Sequence, residues 1–348
     1  MIDYRSDTVT KPTDEMRRAM FSADVGDDVM NADPTVIVLQ SKIATMFEKE
    51  DALFFPSATM ANLVSVLVWC GDRRDAEIIV GDRSHMFLFE QGGAAQFGGV
   101  SSRSVPNLDD GTMSLDSLRL AIRDDDIHEP VTKMIAVENT HNCCGGTILP
   151  IDFLIGVRRL ADEHHIPVHM DGARIWNALT ATSMKPHEVG QFVDSLSVCL
   201  SKGLGAPVGS VLIGPSAFIT KARRVRKALG GGWRQAGVLA AAGLQALADF
   251  EEGILKHDHR RTQTLVSGLK GCRGWLVSPY CDTNIAFITV DDGKADVMGK
   301  ELSKAGVLVS VWDNNTIRMV VHRDLTDENI NNTISIFKSL TTNPNSKL

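Results

Sequence analysis

The feature that most constrains this chain is an alternation, from about Asp51 to Ile213, of short apolar runs with helix-like stretches. The strand-like runs are Ala52–Phe55, Glu77–Val80, Lys133–Val137, Pro167–Met170, Leu196–Leu200 and Gly209–Ile213. Between most of them lie segments of helical period, such as Ile151–Glu163, where Phe153, Leu154, Val157 and Leu160 share one face. Strands separated by crossover helices predict an α/β fold with a mainly parallel sheet. Upstream, Asp33-Pro34-Thr35 reads as an N-cap followed by proline in the first turn, opening a helix with Val36, Leu39, Ile43 and Met46 or Phe47 inward. At about 150 residues per domain, 348 residues suggest two.

Beyond Gly230-Gly231-Gly232, the alanine-rich segment Gln235–Phe250 reads as a buried helix, and from about Lys256 the pattern changes. A polar helix, strand-like Asn284–Val290, a short helix, strand-like Val307–Val311 and Ile317–Val321, and a last helix from about Thr326 to Leu340 predict a smaller α+β domain. The expected division is 1–252, 253–340 and a polar, frayed tail Thr341–Leu348.

Composition excludes several classes. Apolar residues make up 43% of the chain, but the longest run, around Leu63–Trp69, is far too short for a membrane span. The charges, 36 basic against 43 acidic, are dispersed and sum to −7, which leaves no basic stripe for nucleic acid. The start, Met1-Ile2-Asp3-Tyr4-Arg5, lacks the basic-then-apolar order of a signal peptide, so the expected compartment is the cytosol. Six cysteines with no CxxC pair fit reduced thiols and no metal site.

Three polar segments fall where strands should end, the edge at which open α/β sheets bind ligands. Pro56-Ser57-Ala58-Thr59-Met60-Ala61-Asn62 follows a strand and opens a helix, so its N–H groups and two hydroxyls suit a phosphate. Asp171-Gly172-Ala173-Arg174 delivers a carboxylate and a guanidinium together, and Ser201-Lys202-Gly203-Leu204-Gly205 places a lysine in a glycine-bearing turn. Singly, a helix cap, a strand-end ion pair and a solvated lysine explain them. Jointly they match the needs of pyridoxal 5'-phosphate: an amine for its aldehyde, a carboxylate for its ring nitrogen and a helix start for its phosphate. His85, in Gly81–His85, is placed to stack on such a ring.

Asp171, Arg174 and Lys202 sit within stretches that resemble the threonine aldolases of the aspartate-aminotransferase-like fold, also called fold type I. The stretches are Arg5–Thr10, Val25–Val29, Asp33–Thr35, Glu138–Asn142, Asp171–Arg174, Leu200–Ser210 and Gly230–Gln235, and the resemblance extends from Ile2 to about Leu340. It implies a lyase that cleaves L-threonine, L-allo-threonine and other β-hydroxy-α-amino acids to glycine and an aldehyde. Lys202 would form the Schiff base, Asp171 would hold the ring nitrogen, Arg174 the phenolic oxygen, and Ser57, Ala58 and Thr59 the phosphate, with Lys227 and Arg234 reaching it from a neighbouring subunit of a homotetramer. Arg318, supported by Ser6 and with Arg174 and His128 nearby, would bind the substrate. His85, His128 or a water would take the hydroxyl proton, and Glu90 would orient His85 from one turn further along the same helix.

The sequence departs from the family pattern at Met30-Asn31, where the family has Tyr-Gly, at Ala58, which replaces a glycine, and at Trp233, where methionine is common. If position 58 required a positive φ, its Cβ would cost about 1 kcal/mol or more. Two other readings share the same residues: a different pyridoxal-phosphate reaction such as β-elimination or transamination, and a folded protein whose site has decayed.

Overall fold

The computed structural model describes residues 1–342 apart from 72, 73 and 273. Seven strands form the main sheet: β1 Asp51–Phe55, β2 Ala76–Gly81, β3 Ser101–Val105, β4 Val131–Glu138, β5 Val168–Gly172, β6 Ser195–Cys199 and β7 Ser210–Gly214. Their order is β1-β7-β6-β5-β4-β2-β3. β7 is antiparallel to both β1 and β6, and the other pairs are parallel, so six strands run the same way. Register then aligns their carboxyl ends: Glu138 pairs with Asp171, Gly172 with Val198, and Ser210 with both Cys199 and Phe55.

Both faces of this sheet are covered, which is why most of its strands are continuous apolar runs. Alternation decides which face each residue serves. On β1, Phe54 joins the large core with Phe153, Val157 and Leu247, whereas Leu53 and Phe55 turn to the opposite side with Val64 and Phe218. The helix Pro34–Met46 has the expected cap, Asp33 accepting from the Val36 N–H at 3.0 Å, and the inward residue at its end is Phe47.

β8 Trp275–Val277, β9 Ile285–Val290, β10 Ser310–Val311 and β11 Thr316–Val320 form an antiparallel sheet in the order β10-β11-β9-β8. Ala295–Lys304 and Asp327–Thr342 cover it through Met298, Leu302, Ile330 and Phe337. The helix Gly237–Glu251 ends just before Gly253, whose φ of 86° turns the chain into the next helix, Ile254–Leu269. That helix serves both cores, Leu255 in the larger and Leu265 and Leu269 in the smaller.

The six expected strands of the main sheet are present. β3 was not expected, because Ser101-Ser102-Arg103-Ser104 is a polar, solvent-facing edge without an apolar pattern. The run Val307–Val311 is not one strand: Val307–Leu308 pairs in parallel with Ile2–Asp3, and Ser310–Val311 turns onto β11. The last helix continues through Thr342, beyond the expected start of the tail, and 343–348 lie outside the described residues. No helix among the described residues is long and apolar enough to cross a membrane.

Candidate active site

The chain leaves β1 through Ser57, whose extended backbone and Oγ, accepting from the Met60 N–H at 3.2 Å, start the helix Ala58–Cys70. Ser57 and Thr59 are exposed there. Ala58 is the first helical residue and has no positive φ, so the anticipated strain is absent. Beyond β2, His85 opens a short helix, and its backbone N–H donates to Glu138 Oε2 at 2.6 Å. Asp171, 1% exposed in β5, accepts from the Ala173 N–H and from Asn62 Nδ2, each at 3.0 Å. Lys202 lies three residues past β6, its carbonyl accepting from Thr10 Oγ1 at 2.9 Å. The Ser57 and Thr59 hydroxyls, an imidazole, a carboxylate and a lysine thus emerge along one sheet edge.

A cationic corner adjoins them. Asp7, fully buried, accepts from Arg174 Nε at 2.8 Å and Nη2 at 2.7 Å. Asn142 Oδ1 takes Arg174 Nη1 at 3.3 Å and Arg318 Nη2 at 2.7 Å, so two guanidinium groups converge on one oxygen. Glu138 holds Asn142 in place by accepting its N–H at 2.8 Å. Arg318 Nη1 donates to the Arg5 carbonyl at 3.3 Å, while its buried Nε has no partner among the described residues. Trp312 covers the Arg318 guanidinium at 5.4 Å, and Phe89 and Phe287 meet that indole edge-on. A cleft of about 700 Å³ opens beside it, lined by Arg83, Phe89, Cys143, Phe287 and Trp312 among others.

Electrostatics follow from this packing. Burial would raise the Asp7 carboxyl, but Arg174, with Lys202 and Arg318 behind it, holds it well below the ordinary range. Burial and the neighbouring Arg174 pull Arg318 down to about 10. Glu90 Oε1 lies 3.0 Å from His85 Nδ1. Burial would lower the imidazole, but Glu90, Asp171 and Glu138 raise it, and burial with Asp171 raises Glu90 in turn.

Not every expected residue arrives here. His128 lies in the loop before β4, at the opposite edge of the sheet, where its 83% exposed ring bonds Asp126 at 2.7 Å. The eight-residue strand Val131–Glu138, about 25 Å long at strand rise, runs from that loop to Glu138, so this chain's own His128 stays away from its own site. Among the described residues Ser6 makes no hydrogen bond to Arg318, which bonds the carbonyl of the preceding Arg5; Ser6 caps the turn Asp7–Val9 by accepting from the Thr8 N–H and lies 3.5 Å from Asp7 Oδ1. Lys227 is exposed and Arg234 pairs with Asp27 at 2.9 Å. Glu90 lies beyond the end of the helix His85–Leu88 but reaches His85 all the same. Met30 is exposed and Trp233 packs edge-on against Phe54. Asp7, Asn62, Glu138 and Asn142 were not singled out from sequence, although three of them lie in the segments that carry the resemblance.

Residues 3–292 match the family model described as beta-eliminating lyase. The chain is 45% identical over 345 residues to the probable low-specificity L-threonine aldolase 2 of Arabidopsis thaliana, covering 97% of each chain. It is 41% identical over 330 residues to the low specificity L-threonine aldolase of Escherichia coli K12, covering 95% of this chain and 96% of that one. Among solved structures it superposes on the threonine aldolase of Leishmania major with a TM-score of 0.84 at 18% identity, covering 98% of this chain and 100% of that one. That likeness shows the fold, fold type I, with its mainly parallel mixed sheet. Sequence and sheet topology agree, and the chain belongs to the beta-eliminating lyase family, among the low-specificity L-threonine aldolases.

Proposed function

We propose that this protein is a carbon-carbon lyase that uses pyridoxal 5'-phosphate to cleave L-threonine, L-allo-threonine and related β-hydroxy-α-amino acids to glycine and an aldehyde. The observation that carries this reading is the convergence of donors at the sheet edge. Arg174 and Arg318 meet at Asn142 Oδ1, and the buried Arg318 Nε has no partner among the described residues, a corner that suits an anionic ligand. The donor set suits the cofactor: a lysine amine, a buried carboxylate in Asp171, a capped helix start at Ser57 and a guanidinium with an unpartnered buried Nε in Arg318. When bound, the cofactor supplies an aldehyde for the lysine amine and a protonated ring that accepts the electrons of the breaking bond.

The chain's own groups do the rest. Lys202 provides the amine, and Asp171 keeps the ring nitrogen protonated through its carboxylate. Ser57 and Thr59, with the N–H groups from Ala58 onward, bind the phosphate, and His85 stacks on the ring. Arg174 binds the phenolic oxygen and, with Arg318, the substrate carboxylate side. Glu90 takes the His85 Nδ1 proton as a hydrogen bond, which leaves Nε2 as the ring's basic nitrogen, available to the β-hydroxyl. Lys227 and Arg234 we assign to the phosphate of a neighbouring copy, and His128 can act only across such a contact.

The test is product analysis with L-threonine and L-allo-threonine. Equimolar glycine and acetaldehyde are expected. Ammonia with a keto acid would reassign the protein to β-elimination, and an inactive protein that takes up no cofactor would point to a decayed site.

A further inference from the structure

Behind the sheet edge lies a buried chain of hydrogen bonds, outside the groups assigned above except where it ends. Asn62 lies on the helix that starts at Ser57, and its Nδ2 donates to Asp171 Oδ2 and to Glu90 Oε1, both at 3.0 Å. Its Oδ1 takes Ser197 Oγ at 2.7 Å and lies 3.1 Å from His169 Nε2. His169 Nδ1 is 2.9 Å from Ser195 Oγ, which accepts from Trp69 Nε1 at 2.9 Å. Asn62, His169, Ser195 and Ser197 are all fully buried.

One proton order satisfies every group of this chain. Burial pulls His169 down to about 4, so its ring is neutral and carries one proton. Trp69 donates to Ser195, Ser195 donates to His169 Nδ1, and Nε2–H therefore donates to Asn62 Oδ1. The two carboxylates hold the Asn62 amide in this orientation, because a flipped amide would set its oxygen against both of them. Its N–H groups are fixed on Asp171 and Glu90.

The two carboxylates come from different elements, and their ligand atoms lie within 4.8 Å of each other and of His85. Mutual repulsion would turn them apart or protonate one. One amide bridging both offsets that, and it leaves Glu90 Oε1 as the acceptor for His85 Nδ1.

We infer that Asn62 is a positioning residue for the reaction: by bridging Asp171 and Glu90 it aims one carboxylate at the cofactor ring and sets the His85 tautomer through the other. The inference rests on the function proposed above. Its test is a pH titration of the visible absorption of the cofactor-loaded enzyme, with kcat and KM for L-threonine, in the native protein and in Asn62→Leu. The expected result is a midpoint shifted by about one pH unit or more and kcat lowered about tenfold or more, with KM within about threefold. A folded Asn62→Leu holoenzyme with native midpoint and native kcat overturns the inference while leaving the function standing. If Asn62→Leu does not fold, Ser197→Ala removes one anchor of the amide and should shift the midpoint by less, and a native midpoint there overturns it equally. A native protein that takes up no cofactor and releases no aldehyde overturns both readings.

Discussion

At the scale of single residues, the Asp7–Arg174 pair carries the largest stakes. Both partners are buried and bonded through two contacts, and removing one charge from such a pair strands the other. Asp7→Asn is expected to cost about 3–5 kcal/mol and to weaken amino-acid substrates through the loosened Arg174 and Arg318, checked by denaturant unfolding and by KM. Because the Asp7 carboxyl is depressed in the fold, its contribution is present above its unfolded value, about 3.9, and is lost as pH falls below it. The native protein should therefore lose more stability on acidification to pH 3 than Asp7→Asn does. Lys202, Asp171 and His85 were legible in the sequence because each lies at or just past the end of an apolar run, and local pattern locates strand ends. Asp7 and Asn62 were not: their partners lie 167 and 109 positions away, and no local pattern encodes such contacts.

At the scale of elements, the buried strands announced themselves, and the elements that escaped were short edges. β3 is polar on its exposed side, and Val307–Val311 divides between two partners that only the closed fold supplies. The end of β5 is set by packing: a Cβ on Gly172 would meet the Ser197 carbonyl oxygen at 2.6 Å. Gly172→Ala should displace Asp171 and lower cofactor affinity, measured by titration of the visible band. The helix Ile254–Leu269 carries the opposite kind of cost to Asp7. Asp258 is fully buried with neither carboxylate oxygen partnered among the described residues, and burial pushes it up to about 7. Between pH 4 and 7 the native state keeps a proton that the unfolded chain has lost, so stability falls as pH rises through that window, by about 4 kcal/mol in all. Asp258→Asn should flatten this slope and raise Tm at pH 8 more than at pH 5. An unchanged slope would show that Asp258 ionises freely in the fold.

At the scale of the whole molecule, the first residues join two regions. Ile2–Asp3 pairs with Val307–Leu308 and Tyr4 Oη bonds Thr333 at 3.0 Å, while Asp7, a few positions on, reaches Arg174 at the end of the main sheet. The N-terminal segment thus fixes the corner where Arg174 and Arg318 meet. Assignment of Lys227, Arg234 and His128 to a neighbouring copy requires self-assembly, and the surface offers apolar material for it, with Phe21, Met30, Phe97 and Ile127 all strongly exposed. Light scattering should give a multiple of the 37.9 kDa chain mass, a tetramer by family resemblance. A monomer with full activity would remove the shared-site assignment.

The most direct test of the account is to reduce the cofactor-loaded protein with borohydride, digest it, and locate the modified lysine by mass spectrometry. The cofactor's mass should appear on the peptide that contains Lys202 and be absent from that of Lys202→Ala. Its appearance on any other lysine would contradict a site built at the carboxyl edge of the main sheet.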